Sequence, residues 1–256
     1  MFDSWIDPWG LKKLEKLLKA QPGLHFPVVI LTGAGISQES GLATFRGNNG
    51  MWENHNIKDI ASPDGLERNP ELVLSFYNQR RSDLLKDTIK PNAAHLALAK
   101  LETVIGEVSI LTQNVDNLHE RAGSESVTHI HGRLLRNKCG TCQYACDSSE
   151  PMMLTQECSV CNSRSVRPDV VFFKETPYHM DSALLDLNQA KIFISIGTSG
   201  VVYPAAHFVH QAKRQGAICI EINPNPSATS SHFDLVIKKS AAVAVPKLVD
   251  FLISKF

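Results

Sequence analysis

The stretch Pro27-Val-Val-Ile-Leu-Thr-Gly-Ala-Gly-Ile-Ser37 decides the fold, because an apolar run leads directly into a glycine turn. A buried strand followed by Gly-x-Gly is where a Rossmann sheet admits a dinucleotide, since glycine lets the backbone approach a pyrophosphate closely. The helix expected next offers unpaired N–H groups to that charge. The full fingerprint fails, because its third glycine falls on Gln38 and the next glycine is Gly41. The stretch therefore predicts a nucleotide site but is poor evidence for a hydride-transfer enzyme, and a tight turn after a buried strand is the alternative.

The rest of the chain alternates apolar strands with helical periodicity. Leucines at helical spacing follow Gly10, and Pro70 begins a second predicted helix at 70–85. Strands that alternate with helices predict an α/β fold with a Rossmann-like, doubly wound and mostly parallel sheet. Further strands are predicted at 108–111, 127–131, 170–173, 192–196 and 218–222, and further helices at 92–104, 117–122, from 181, 204–214 and 240–253.

Three further loops carry groups that suit a nucleotide. Thr44-Phe-Arg-Gly47 offers a guanidinium for a phosphate or ribose and a ring for one face of a base or sugar. Gly197-Thr-Ser199 and Glu221-Ile-Asn-Pro-Asn225 each follow a predicted strand, at the carboxyl ends where an open α/β sheet binds ligands. Taken singly each is an ordinary loop, but together they predict one site.

A polar cluster follows the next predicted strand. Gln113, Asn114 and Asp116 carry amide and carboxylate groups that can hold a carboxamide and ribose hydroxyls, although turn capping also explains Asn and Asp there. His131 ends the strand after that, where it is placed to act as a general base, and a structural histidine is the alternative. His129 lies one strand step away on the opposite face, and we expect it to be structural.

The most specific pattern in the chain is a pair of Cys-x-x-Cys motifs with fifteen residues between them. This spacing is typical of a four-thiolate zinc site. Four cysteine ligands leave no open coordination position, so we expect one structural Zn²⁺ per chain, which holds together an insert with few apolar residues. A redox role, which needs only one pair, is the alternative. The predicted ligands are Cys139, Cys142, Cys158 and Cys161.

Composition and charge exclude several classes of protein. The 256 residues are 43% hydrophobic and 20% charged, which is ordinary for one large globular domain or a large domain carrying a smaller one. Lys plus Arg and Asp plus Glu number 26 each, and this balance argues against binding to nucleic acid or to an anionic membrane. The first residues lack the features of a signal peptide, and no apolar run could span a bilayer. We expect a cytoplasmic protein with reduced cysteines.

In their order along the chain these motifs resemble the sirtuin family, from about Val28 to Val249. The resemblance implies an NAD-dependent protein-lysine deacylase, in which NAD and an acylated lysine of a protein substrate meet between two domains. It implies a Rossmann-like NAD-binding domain of residues 1–51, 86–134 and 167–256, and a small domain with a helical part at 52–85 and a zinc-ribbon part at 135–166. The motifs are Gly33-Ala-Gly-Ile-Ser37, Glu39-Ser-Gly41, Thr44-Phe-Arg-Gly47, Thr112-Gln-Asn-Val-Asp-Asn-Leu-His119, His131-Gly132, the paired cysteines, Val170-Val-Phe-Phe173, Gly197-Thr-Ser199 and Val202-Tyr-Pro-Ala-Ala206.

The resemblance also implies roles for the site residues. The acyl oxygen would attack the ribose carbon as nicotinamide leaves, and His131 would then activate a ribose hydroxyl, with Asn114 as the second catalytic residue. The products would be nicotinamide, free lysine and O-acyl-ADP-ribose, and Asp116 would stabilise the cationic transition state. The implied NAD-binding residues are Gly33, Ala34, Gly35, Ile36, Ser37, Thr44, Phe45, Arg46, Trp52, Gln113, Asn114, Asp116, Gly197, Thr198, Ser199, Asn223, Pro224, Asn225 and Ala241. The implied substrate-binding residues are Ala61, Tyr77, Arg80, Val171, Phe172, Phe173, Val202 and Tyr203.

The string Tyr77-Asn-Gln-Arg80 indicates which acyl groups are removed. A phenol and a guanidinium at i and i+3 of a helix share a face and could grip one carboxylate, and a solvated helix face is the alternative. The pair resembles that of the sirtuins that remove succinyl and malonyl groups, and Ala61 aligns with a small residue of their acyl pocket. We therefore expect both deacetylation and desuccinylation, with the latter at least comparable.

Two positions depart from the family's pattern. Ala43 stands where proline is usual, and Lys174 stands where glycine is usual in the segment that pairs with the substrate backbone. We expect Lys174 to disfavour peptides with basic flanking residues. A mono-ADP-ribosyltransferase and a non-catalytic ADP-ribose sensor are the rival functions. The short termini fit a bacterial enzyme, and we expect a monomer.

Overall fold

The larger sheet is formed by strands that alternate with helices along the chain. The structure, a computed structural model, describes residues 9–21, 23, 26–43 and 56–255. The strands of this sheet are β1 (Val28–Thr32), β2 (Val108–Thr112), β3 (Val127–His129), β7 (Ile192–Ile196), β8 (Ile218–Ile222) and β9 (Leu235–Ile237). They lie in the order β3-β2-β1-β7-β8-β9, and all five pairings are parallel. Chain order runs outward from β1 on both sides, so the predicted doubly wound α/β sheet is confirmed.

Helices cover both faces of this sheet. One face carries α1 (Leu11–Ala20), α5 (Ala93–Ile105) and α9 (Ala241–Ile253), the other carries α7 (Met180–Gln189) and α8 (Phe208–Arg214), and the short α6 (Leu118–Arg121) lies between β2 and β3. Side chains of β1 alternate, since Val28 and Ile30 pack on the first face and Val29 and Leu31 on the second. Because both faces are covered, every residue of β1, β7 and β8 is buried. Each large apolar side chain among them stabilises the fold by about 1.5–3 kcal/mol.

A second, smaller sheet and three helices pack together beside the first. In this sheet β4 (Gly132–Cys139) pairs antiparallel with both β5 (Ala145–Asp147) and β6 (Val166–Val170). The helices are α2 (Ile57–Ile60), α3 (Pro63–Arg68) and α4 (Pro70–Leu84). Asn69 caps α4, because its side chain accepts a hydrogen bond from Leu72 N at 3.1 Å, and Pro70 fits the first helical position. A third apolar cluster packs α4 against Leu134 of β4 and Val170 of β6.

Arg81 fastens the small sheet to α4. Its side chain is 1% exposed, and its guanidinium donates to the carbonyl oxygens of Leu134 at 2.8 Å, Glu150 at 2.7 Å and Arg136 at 3.1 Å. A fourth hydrogen bond, of 2.7 Å, goes to Asn137 Oδ1. All four acceptors are neutral, so peptide and amide dipoles rather than a carboxylate compensate the buried charge.

The predicted strand at 170–173 is wrong beyond Val170. Residues 171–173 leave the ladder, because Val171 N donates to His131 O and Phe173 N donates to Ala61 O, both at 2.9 Å. An apolar run of this length cannot by itself distinguish a strand from a buried loop. The strand predicted at 127–131 likewise ends at His129.

Other elements differ from or add to the predictions. The helix expected after the glycine turn is replaced by two 3₁₀ turns, Ala34–Ile36 and Gln38–Ser40. The strands β4, β5 and β9 were not predicted, since they are short or carry no clear alternation. The remaining predicted helices and strands lie within a few residues of the observed ones. Within the described ranges, no helix has both the length and the apolar character that a membrane crossing requires.

Candidate active site

Four strands of the larger sheet end level with one another. Thr32 lies opposite Thr112 and Ile196, and Ile196 lies opposite Ile222. The loops that follow β1, β2, β7 and β8 therefore begin at one edge of the sheet. In doubly wound folds this carboxyl edge, where the chain order changes direction, is where ligands bind.

The glycines at this edge are required by contact between two loops. Gly33 N donates to Ile196 O and Gly35 N donates to Gly197 O, both at 3.0 Å. A Cβ on Gly33 would lie 2.8 Å from Gly197 O, and one on Gly35 would lie 2.6 Å from Gly197 Cα. Gly197 itself has a φ of +63°, which favours glycine. The sequence indicated that glycine admits a pyrophosphate, and the structure adds that glycine lets the two loops touch.

Three buried polar side chains lie beside this turn. Asn114 Nδ2 donates to Gly33 O and to Ser37 Oγ, both at 3.2 Å, and Ser37 Oγ donates to Asp116 Oδ2 at 3.0 Å. Asn114 is 3% and Asp116 is 9% exposed. Asn114 Oδ1 is buried and has no partner among the described residues. An unsatisfied buried acceptor costs about 1–3 kcal/mol, so this oxygen points to a donor that a ligand would bring.

The charge state of Asp116 is set by opposing effects. The pKa of its carboxyl is raised above its usual value, because burial outweighs the hydrogen bonds from Leu118 N and Ser37 Oγ, which lower it. Leu118 N donates to Oδ1 at 3.1 Å and Ser37 Oγ donates to Oδ2, so both oxygens already accept a proton donor. A cationic ligand nearby would favour the ionised form of this carboxyl.

His131 lies two residues beyond β3, above the same edge. Its Nδ1 is 3.1 Å from Gln113 O, and since a carbonyl oxygen can only accept, Nδ1 carries the proton. Among the described residues no hydrogen bond reaches Nε2, so its lone pair is free. Burial lowers the pKa of the imidazole, opposed by the Gln113 carbonyl. His131 is therefore neutral near pH 7 and can take up a proton at Nε2.

His129 has a different environment. Its Nδ1 lies 3.0 Å from Asn114 O and its Nε2 lies 2.6 Å from Glu120 Oε1. Both ring nitrogens are thus engaged by oxygen atoms, and neither is available to a substrate. The contacts support the structural role expected for His129, which is to hold the backbone of Asn114.

The loops after β7 and β8 meet through two hydrogen bonds. Asn223 Nδ2 donates to Thr198 O at 2.7 Å, and Ala228 N donates to Ser199 O at 3.1 Å. Pro224 and Asn225 are exposed beside them. The structure thus brings these predicted NAD-binding residues to the edge that carries the glycine turn.

Ala241, the first residue of α9, is tied to the glycine loop by a residue that the sequence did not single out for a role. Glu39 accepts from Ser240 Oγ at 3.0 Å and from Ala242 N at 2.8 Å, so a carboxylate caps the amino end of α9. Ala241 itself is buried. Four predicted NAD-binding residues, Thr44, Phe45, Arg46 and Trp52, lie outside the described residues.

The predicted acyl pocket is built on α4. The Tyr77 ring is stacked on Phe172 at a centroid distance of 5.8 Å, and both side chains are buried, as is Ala61. Burial raises the pKa of the Tyr77 phenol, so the hydroxyl stays a neutral donor. Arg80 is one helical turn further on, with its guanidinium carbon 5.2 Å from the Phe76 ring centroid. Tyr77 and Arg80 thus both lie on α4, three residues apart.

Arg167 supports this pocket and was not recognised in the sequence. Its guanidinium carbon lies 3.9 Å from the Phe172 ring centroid, and Nη1 pairs with Glu175 Oε1 at 2.6 Å. Glu175 also accepts from Phe172 N at 2.7 Å. Arg167, Phe172 and Tyr77 therefore form one stack. Phe172 and Glu175 follow Arg167 closely in the sequence, but Tyr77 is far from it and only the fold brings Arg167 to this pocket.

The remaining predicted substrate-binding residues have exposed or half-buried side chains. Val171 is half-buried beside His131, and Phe173 is exposed after it. Val202 is half-buried and Tyr203 is exposed, with its ring packed edge-on against His207 at 4.7 Å. The structure places Val202 and Tyr203 in the loop after β7.

The four predicted cysteine ligands converge at the tip of the small sheet. Cys139 Sγ is 3.6 Å from Cys161 Sγ, Cys142 Sγ is 3.7 Å from Cys158 Sγ, and all four sulfurs lie within 4.8 Å of one another. A tetrahedral Zn²⁺ with bonds of about 2.3 Å requires sulfurs about 3.8 Å apart. The sulfurs are too far apart for disulfides, so the arrangement fits a closed, structural zinc site.

These features define an α/β protein with a nucleotide site at the edge of a parallel sheet and a second, zinc-binding module. The Sir2 family matches residues 33–204 of this chain. A protein of Vibrio parahaemolyticus named NAD-dependent protein deacylase is 51% identical over 236 residues, covering 90% of this chain and 98% of the relative. One of Salmonella typhimurium with the same name is 49% identical over 225 residues, covering 87% and 82%.

Solved structures give the same family. A Sir2 homologue in complex with NAD superposes with a TM-score of 0.84 at 35% identity, over 95% of this chain and 94% of that one. A Sir2 protein bound to a myristoylated histone peptide gives a TM-score of 0.71 at 31% identity, over 96% and 98%. The chain belongs to the Sir2, or sirtuin, family.

Proposed function

We propose that this protein is an NAD-dependent protein-lysine deacylase, which transfers the acyl group of a modified lysine to ADP-ribose. The observation that carries the proposal is His131, whose Nδ1 is committed to Gln113 O while Nε2 is free, above the Asn114–Asp116 cluster. Relatives about 50% identical are named NAD-dependent protein deacylases, which supports the same activity here.

NAD would be held by this chain's own groups. The unpartnered Asn114 Oδ1 would accept from a ribose hydroxyl or the nicotinamide amide. Asp116, buried and accepting two hydrogen bonds, would face the positive charge that develops at the ribose when nicotinamide leaves. Gly33 and Gly35, at the end of β1, would let the backbone approach the pyrophosphate.

His131 would act after nicotinamide has left. The acyl oxygen bonds to the ribose carbon as the bond to nicotinamide breaks, and His131 Nε2 then takes the proton of a ribose hydroxyl, whose oxygen attacks the acyl carbon. The bond from that carbon to the lysine nitrogen then breaks, a water molecule adds to the same carbon, and the bond from that carbon to the oxygen on the first ribose carbon breaks. The products are nicotinamide, the free lysine and O-acyl-ADP-ribose. A positioned base of this kind contributes about 10²–10⁴-fold.

Tyr77 and Arg80 would extend the acyl range to succinyl and malonyl groups. The buried phenol remains protonated and can donate, and Arg80 Nε is buried without a partner among the described residues. Together they would offer two donors to one carboxylate. Ala61, small and buried, would leave room for the longer acyl chain.

Matched acetyl-lysine and succinyl-lysine peptides test the proposed acyl range. The wild type and a Tyr77→Phe/Arg80→Met variant are incubated with NAD, and peptide and nucleotide products are followed by mass spectrometry. We expect the double variant to lose most desuccinylation and to retain deacetylation. If the wild type leaves the succinyl peptide untouched, Tyr77 and Arg80 do not bind an acyl carboxylate and the protein is an ordinary deacetylase.

A further inference from the structure

Arg80 lies between Tyr77 and Asp83 along α4. Tyr77, Arg80 and Asp83 are three residues apart on α4, so successive members rise by about 4.5 Å along one side of the helix. Tyr77 faces the buried stack with Phe172, and Asp83 lies towards the carboxyl end of the helix. Arg80 can therefore reach an acyl carboxylate beside Tyr77 or turn towards Asp83.

The contact between Arg80 and Asp83 is loose. Arg80 Nη2 lies 3.5 Å from Asp83 Oδ2, and each side chain is 29% exposed. Arg80 Nε is buried and unpartnered among the described residues. The guanidinium thus keeps a free donor while its charge is partly balanced by Asp83.

Asp83 is itself shared with other groups. Lys86 Nζ is 2.7 Å from Asp83 Oδ1, and Gln79 Nε2 donates to the same oxygen at 3.1 Å. Partial burial raises the pKa of the Asp83 carboxyl, but the hydrogen bonds from Lys86 and Gln79 and the charges of Lys86 and Arg80 outweigh it and hold the pKa below its usual value. Asp83 is therefore ionised at neutral pH, with Oδ1 occupied and Oδ2 directed at Arg80.

We propose that Asp83 sets the preference of the enzyme between acidic and neutral acyl groups, by competing with the acyl carboxylate for Arg80. The inference rests on the proposed function, because it requires an acyl carboxylate to reach Arg80. A succinyl or malonyl group must draw the guanidinium from Asp83, whereas an acetyl group makes no such demand. Lys86 weakens the competitor by holding its other oxygen.

The competition predicts opposite effects for two substitutions. Asp83→Asn removes the competing charge and keeps the side-chain shape, so succinyl substrates gain. Lys86→Met leaves Asp83 free to pair more closely with Arg80, so succinyl substrates lose. Partly exposed ion pairs of this kind change an equilibrium by about two- to fivefold, which is the change expected in each direction.

The experiment measures kcat and KM for succinyl-lysine and acetyl-lysine forms of one peptide with the full-length, zinc-loaded protein. The variants are Asp83→Asn, Lys86→Met and, as a matched control, Asp87→Asn, which removes one exposed carboxylate from the turn after α4. Melting temperatures show whether each variant is folded. The ratio of kcat/KM for succinyl over acetyl peptide is expected to rise with Asp83→Asn, through KM, to fall with Lys86→Met and to stay constant with Asp87→Asn.

The outcomes separate this inference from the function on which it rests. A wild type that removes acetyl but not succinyl groups overturns both the acyl clamp and the role of Asp83. A wild type that removes both, with an unchanged ratio in Asp83→Asn and Lys86→Met, overturns the role of Asp83 alone. A rise in the ratio that Asp87→Asn reproduces would also overturn it, because the effect would then reflect net charge.

Discussion

Replacing Arg81 by methionine tests how the small sheet is held to α4. The side chain is 1% exposed and donates four hydrogen bonds to three peptide carbonyls and one amide oxygen. Methionine retains much of the apolar volume but leaves all four acceptors without this donor. Unsatisfied buried acceptors cost about 1–3 kcal/mol each, while the relief of burying a charge offsets part of the loss. We therefore expect the free energy of unfolding to fall by about 3–5 kcal/mol.

Urea unfolding followed by circular dichroism measures this loss, and the rate of zinc transfer to a colorimetric chelator reports local opening of the small sheet. Arg133→Met is the matched control, since Arg133 lies exposed on β4, and we expect a change within about 0.5 kcal/mol. Faster zinc release should accompany the instability of Arg81→Met. If Arg81→Met unfolds within about 1 kcal/mol of the wild type, the four hydrogen bonds do not fasten the sheet and the reasoning is refuted.

Three further predictions concern His131, the glycine turn and Lys174. The base is neutral His131, so deacylation should fall as the pH drops through the pKa of its imidazole. Because burial lowers that pKa, the acid limb of the pH profile of kcat/KM should lie below about 6.5. An acid limb above about pH 7 would contradict the assignment. Gly35→Ala would bring a Cβ to 2.6 Å from Gly197 Cα. The free energy of unfolding in denaturant should therefore fall by about 1–3 kcal/mol, and NAD should bind more weakly by calorimetry. A wild-type affinity for NAD would be inconsistent with the contact between the two loops. Lys174 is exposed beside Phe173. In Lys174→Gly, the ratio of kcat/KM for peptides with basic flanking residues over peptides with acidic ones should rise by about two- to threefold. An unchanged ratio would show that Lys174 does not select peptides.

The larger sheet could be predicted from the sequence because its strands are continuous apolar runs. Such runs, separated by helical periodicity, have few alternatives to a parallel sheet covered on both faces. The level ends of β1, β2, β7 and β8 then follow from the topology, so Asn114, Asp116 and His131 could be expected near the glycine turn. The convergence of the four cysteines was equally predictable, because two Cys-x-x-Cys pairs at this spacing are typical of one zinc site.

The small sheet and its supports could not be predicted in the same way. Its strands carry polar residues without a regular apolar alternation, and β5 has only three residues, so their pattern does not distinguish them from loops. Arg81 binds backbone carbonyls that lie more than fifty residues away in the sequence. Arg167 packs on the ring of Phe172, which lies in a loop. Single positions carry no sign of such partners. The apolar run at 170–173 misled because burial against α4 and burial in a sheet require the same residues.

The central claim is that His131 serves a deacylation in which NAD is consumed. The most direct test incubates the purified protein with NAD and an acetyl-lysine peptide, and measures nicotinamide, deacylated peptide and O-acetyl-ADP-ribose by mass spectrometry, beside a His131→Tyr variant. We predict the three products in equal amounts, only when the peptide is acylated, and none of the deacylated peptide from the variant. Nicotinamide released without acyl-peptide, with ADP-ribose attached to a protein, would contradict the account and favour ADP-ribosyl transfer.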